Sequence, residues 1–190
     1  MEINLTEIYK GLAEWRAERG ITTESQKEGY LVNVMEELGE LATALREYER
    51  FSKPSYPYSK NKKYAEHGII DALCDISVFT INAGADIPCE NKPTRLELEP
   101  CLSLYNLLRE IADHQRCFNS ITLCYVLGVC ASLCHQYGFN FELAMLETIK
   151  EISSRTGAYD EVSKKWVKDE SDEARAKWYQ ADYEKARIAQ

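Results

Sequence analysis

From Ile3 to Ser154 the apolar residues of this chain recur at three- and four-residue spacing, and no stretch alternates long enough to suggest a sheet. That period places the apolar side chains on one side of a 3.6-residue helix, so the sequence predicts an all-α fold. Leu5, Ile8, Leu12 and Trp15 predict a first helix over residues 3–19, stopped by Gly20. Thr23 or Ser25 is expected to cap a second helix reaching about residue 50. Further helices are expected over 63–84, 101–116, 119–137 and 141–154, with Gly138 closing the fifth. Pro54 and Pro57 make residues 51–63 a loop, and Pro88, Pro93 and Pro100 mark another. From Arg155 the chain is polar and charged, yet Trp166, Trp178, Tyr179 and Tyr183 are too aromatic for a disordered tail. We therefore expect a bundle of about six helices over 1–154 and a tail over 155–190 that packs on it, partly as a helix from Ser171 to Arg187. Together they make one domain.

With 190 residues and 45% hydrophobic content, the chain can bury one full core. A formal net charge of -8 argues against a protein that works on a nucleic-acid polymer, which needs a clustered basic surface. No apolar run approaches the roughly 18 residues of a spanning helix, and the start lacks the basic and apolar regions of a secretory signal. A cytoplasmic protein without a membrane partner is the expectation. The seven cysteines contain no C-x-x-C pair and are expected to be reduced thiols on apolar faces.

Two acidic clusters interrupt the apolar pattern. Glu36-Glu37-Leu38-Gly39-Glu40 lies in the second predicted helix, and Asp71-Ala72-Leu73-Cys74-Asp75 in the third. Leu31, Val34, Leu38, Leu41 and Leu45 predict a buried seam on the second helix; Tyr30, Asn33, Glu37, Glu40 and Ala44 line the adjoining side. On the third, Asp71, Asp75, Val78 and Asn82 return to nearly the same side. If the two helices pair antiparallel, the acidic stripes face each other. Like charges at i, i+4 cost roughly 0.2 to 0.5 kcal/mol per pair, so converging carboxylates call for a cation. Oxygen ligands without a matching His point to a hard divalent ion, Mg²⁺ or Mn²⁺, and Mg²⁺ on a few carboxylates points to a phosphate substrate. The bland alternative is a solvated face on which the glutamates pair with Lys27, Arg46 or Lys62. A di-iron bundle would need Glu-x-x-His pairs, and none of His67, His114 or His135 supplies one; these read as surface or helix-end residues.

Glu36-Glu37-x-x-Glu40, followed some thirty residues later by a helix bearing Asp75, resembles the all-α nucleoside triphosphate pyrophosphohydrolases of the MazG and dimeric dUTPase group. The resemblance covers mainly residues 26–84. The family's second half reads E-x-x-D, whereas Ala72 stands three residues before Asp75, and Asp71 offers a shorter replacement. The resemblance implies Mg²⁺-dependent cleavage of a nucleoside triphosphate between its α and β phosphates. It assigns Glu37, Glu40 and Asp75 as metal ligands, Asp71 as the fourth, and Glu36 as a base or ligand of a second ion. A weaker likeness to phage-type members makes Arg155, Lys164, Lys165 and Lys168 phosphate contacts. Asn33, Asn82 and Tyr30 are candidates for reading base or sugar. The function expected is nucleotide-pool house-cleaning by a homo-oligomer, dimer or tetramer. Alternatives are a phosphoribosyl-ATP pyrophosphohydrolase and a helical regulatory module without catalysis.

Overall fold

The computed structural model describes residues 2–53, 59–87, 93–95, 103–160 and 165–189. It is an all-α bundle. The helices are α1 (Thr6–Arg19), α2 (Thr23–Phe51), α3 (Ser59–Ala83), α4 (Ser103–Cys117), α5 (Ser120–Gln136) and α6 (Phe141–Ser154). After them come a two-stranded antiparallel hairpin of β1 (Gly157–Asp160) and β2 (Lys165–Lys168), the one-turn α7 (Asp172–Arg175) and a 3-10 turn over Tyr183–Ala186. Among the described residues, no helix is long and apolar enough to cross a membrane.

Helix α3 is the central element. Its Ile69, Ile70, Leu73, Ile76 and Ile81 are wholly buried, and it packs against α2, α5 and α6. Helix α2 runs antiparallel to it, since Ala44 meets Gly68 at one end and the Tyr30 hydroxyl lies 3.2 Å from Thr80 Oγ1 at the other. Tyr30 of α2 also stacks edge-on against His114 of α4 and Phe118 just after it, and Tyr48 against Tyr137 at the end of α5. Helix α4 folds back on α5. Gly20 and Gly138 end α1 and α5 with φ of 63° and 83°, a left-handed conformation that a side chain would strain.

Several expectations need correction. Helix α1 begins at Thr6 because residues 2–3 are drawn into extended pairing: Ile3 N–H donates to Pro93 O, and Glu2 bridges Thr94. The cap of α2 is Thr22, whose hydroxyl accepts from Ser25 N at 3.2 Å. Helix α3 starts four residues early, at Ser59. In the predicted seam of α2, Val34 and Leu41 are buried but Leu31 is 46% exposed, because α3 covers only one side of a helix this long. Buried Tyr30 and His114 belong to the core and not to the surface; burial pushes the His114 imidazole down to about 4. The tail is not one helix between Ser171 and Arg187, and its hairpin was not foreseen. It does pack on the body: Asn140 N–H donates to Ala186 O at 2.7 Å, Ile188 N–H to Gly138 O at 2.9 Å, and the Tyr183 ring is buried. Cys74, Cys130 and Cys134 are buried free thiols, while Cys117 is an exposed one.

Candidate active site

Helix α2 has two dissimilar flanks beside its core line of Tyr30, Val34 and Leu41. One carries Asn33, Glu37, Glu40 and Glu36; the other carries Leu38, Leu31, Met35 and Val32, as a 100° step per residue requires. The acidic flank borders α3 where Asp71 and Asp75, one turn apart, are both half-buried. Ala72, at 1% exposure, points into the core, so a Glu there would not reach this cleft and Asp71 takes the cleft-facing position. Helix α6 carries Glu151 and, at its end, Arg155, both of which act electrostatically on the two aspartates. A groove of about 540 Å³ opens between α2 and α3, lined by Glu36, Glu40, Glu47, Tyr64 and Asp71.

These acids act on one another. Burial, then Glu40, Asp71 and Glu36, push the Glu37 carboxyl up to about 7, against a smaller downward pull from Lys168. Burial and then Asp71 and Glu37 raise Asp75 well above the usual carboxylate range. Burial also raises Asp71, although the Tyr183 hydroxyl donates to its Oδ1 at 2.6 Å. Arg155 and Glu151 act on both aspartates, but the Arg155 guanidinium donates to Glu151 at 2.8 Å and so is held by a carboxylate of its own. The cations proposed to neutralise a solvated face are engaged elsewhere. Lys27 pairs with Asp86 at 2.8 Å, Lys62 sits 4.0 Å from Glu66, and Arg46 donates to Ala42 O and Thr43 Oγ1. Among the described residues, no ion pair forms on Glu36, Glu37, Glu40 or Asp75.

Among the described residues, no three or more His, Cys, Asp or Glu side chains are gathered closely enough to hold an ion. Mg²⁺ asks less than that: it keeps several waters and is held through one or two carboxylates plus substrate phosphates. An oxygen-only set whose members repel one another in a half-buried cleft fits such an ion by its chemistry. Glu40 and Asp71, which line the groove together, could hold it with water and phosphate, and Glu37 and Asp75, outside the groove's lining, add negative charge beside it.

The remaining predicted residues are placed unevenly. Asn33 is half-buried one turn before Glu37, its amide against Gly29. Asn82 is fully buried and accepts from Arg16 at 2.5 Å, away from the groove. Tyr30 is likewise core. Lys168 lies on β2 and is exposed. Lys164 and the Lys165 side chain lie outside the described residues. Sequence reasoning missed Glu151 and Tyr183. Glu151 stands four residues before Arg155, a spacing that signals a helical ion pair; Tyr183 gave no local signal, because 112 residues separate it from Asp71.

Comparison of the chain with protein-family models, with curated proteins and with solved structures finds no match.

Proposed function

We propose that the protein is a Mg²⁺- or Mn²⁺-dependent pyrophosphohydrolase of nucleoside triphosphates, yielding a monophosphate and pyrophosphate. One observation carries the reading: carboxylates from α2 and α3 lie near enough to raise one another's proton affinity, and among the described residues no ion pair forms on Glu37 or Asp75. A bound divalent ion would neutralise the triphosphate, polarise the phosphorus and acidify a water. Around it the chain's own groups have separate tasks. Glu37, Glu40, Asp71 and Asp75 hold the charge in place, and Tyr183 fixes the Asp71 carboxyl through its hydroxyl. Glu36, exposed beside the cleft, orients the attacking water and takes its proton. Arg155 and Lys168 approach from the α6 end and the hairpin and stabilise phosphate charge.

A homo-oligomer in the cytoplasm completes the proposal. Leu31, Val32 and Met35 of α2, Leu104, Tyr105 and Leu108 of α4, and Ile121 and Tyr125 of α5 are each at least 42% exposed, which favours self-association. Cys74, Cys130 and Cys134 are buried free thiols, as a reducing compartment would keep them. The rival reading, a regulatory module without catalysis, draws on the scattered orientation of the acids and on Asp71 being occupied by Tyr183.

The test is pyrophosphate release from a panel of standard and modified ribo- and deoxynucleoside triphosphates with Mg²⁺. At least one substrate should be cleaved, and Glu40→Gln or Asp75→Asn should abolish cleavage with the helical circular dichroism unchanged. A wild-type protein that cleaves nothing on the panel and binds no divalent cation would establish the regulatory reading.

A further inference from the structure

Arg19 ends α1 and is 7% exposed despite its charge. Its Nη2 donates to the carbonyls of Ile152 (3.3 Å), Ser153 (3.1 Å) and Arg155 (3.1 Å). Its Nη1 donates to Trp15 O at 3.3 Å and to the Glu18 carboxylate at 3.1 Å. The last carbonyls of a helix have no partners within it and carry the negative end of its dipole, so a guanidinium inserted there satisfies several acceptors together. Two indoles enclose the group, with their ring centroids 5.3 Å (Trp15) and 4.9 Å (Trp166) from the guanidinium carbon. Trp166 belongs to β2. Beside the Trp166 ring, Gly157 has no room for a side chain: a Cβ would lie 2.3 Å from Val167 O and 2.5 Å from the ring. The hairpin therefore closes directly on Arg19.

Two cations that act on these carboxylates leave from this junction, Arg155 acting on Asp71 and Asp75 and Lys168 on Glu37. Arg155 is the residue that caps α6, and Lys168 stands two positions after Trp166, paired across the ladder with Gly157. We propose that Arg19 is a positioning residue: by tying α1 to the end of α6 and seating Trp166, it holds Arg155 and Lys168 beside the carboxylates, ready for a phosphate-bearing ligand. The identity of that ligand rests on the function proposed above. The seating of the hairpin does not. A lysine could not replace Arg19, since a single ammonium neither forks to three carbonyls nor stacks flat between two indoles.

The test compares wild type with Arg19→Lys, Trp166→Ala, Lys168→Ala and the Arg19→Lys/Lys168→Ala pair. The readouts are hydrogen exchange of the hairpin amides and calorimetric binding of Mg²⁺ alone and of inorganic pyrophosphate with Mg²⁺. Arg19→Lys and Trp166→Ala should each speed hairpin exchange about tenfold. Both should weaken pyrophosphate binding about tenfold, the loss of one charge-assisted contact, with the Mg²⁺ affinity unchanged within about twofold. The double variant should bind no more weakly than the weaker single one, because Lys168 is one of the two groups, with Arg155, through which Arg19 acts. Unchanged hairpin exchange in Arg19→Lys, additive losses in the pair, or a parallel fall in Mg²⁺ affinity would each overturn the proposal. Trp166→Ala leaves the carbonyl fork intact, so the test survives if Arg19→Lys fails to fold. A wild type that binds no pyrophosphate would refute the function proposed above, while a hairpin loosened by Arg19→Lys would still uphold the seating role.

Discussion

Replacing Glu37 with Gln should make the metal-free protein more stable, and by an amount that depends on pH. The Glu37 carboxyl ordinarily titrates at 4.5 and in the fold is pushed up to about 7, by burial first and then by Glu40, Asp71 and Glu36. Each tenfold change in proton affinity corresponds to about 1.36 kcal/mol, which gives about 3 kcal/mol against the fully ionised form. The side chain is only half-buried, and solvent screening reduces this to about 1.5 kcal/mol. The sign follows from where the proton is held more tightly. The folded protein binds it better than the unfolded chain, so stability falls as pH rises from 4.5 through about 7. Glu37→Gln removes that loss. At pH near 8 with a chelator present, melting followed by circular dichroism should shift upward by about 3 to 6 °C for a chain of this size. At pH near 5 the gain should shrink to about a quarter, because wild-type Glu37 is then mostly protonated. A variant that melts at or below wild type at the higher pH, or whose gain is the same at both, would refute the electrostatic account of this cleft.

Tyr183→Phe removes the hydroxyl that donates to Asp71 and contacts Thr148 at 3.0 Å, and should cost about 1 to 3 kcal/mol in chemical denaturation at neutral pH. Burial works upward on Glu147, but Lys150, Tyr179 and the Asp182 amide outweigh it and hold the carboxyl at about 2. Its contribution is therefore present above 4.5 and lost as pH falls toward 2, so Glu147→Gln should flatten the acid limb of the stability profile. Native alkylation mapped by mass spectrometry should mark Cys117 quickly and leave Cys74, Cys130 and Cys134 unmarked until unfolding. Deleting residues 176–190 should destabilise the whole fold and not merely weaken ligand binding, because Tyr183 and Ala186 are core residues; a truncated chain that melts like wild type would contradict this.

The helices over 6–154 were legible because their apolar periodicity is long and several of their ends are marked, by Gly20 and Gly138 or by the proline-bearing segments after α2 and α3. The antiparallel pairing of α2 and α3 was legible for the same reason, since the apolar sides that join them are set by periodicity. Where two elements compete for one residue, sequence reasoning failed. Leu31 fits an a/d pattern but is 46% exposed, and Tyr30 lies on the core line of α2 and not with the carboxylates. The hairpin was invisible because four residues per strand give no measurable alternation. Trp166 holds it by meeting Arg19, a contact between residues more than a hundred positions apart. The Ala72 departure had a local answer that only the fold reveals, since position 72 faces inward.

The contact between Tyr183 and Asp71 also orders events in time. Closing so long a stretch of chain is slow, and local helix pairing outruns it. During synthesis α2 and α3 can pair as soon as both have emerged, yet the hydroxyl that steadies Asp71 and the amide that binds Glu151 arrive only with residues 181–183. A ribosome stalled before them would display a helical pair whose Asp71 still lacks its hydroxyl partner.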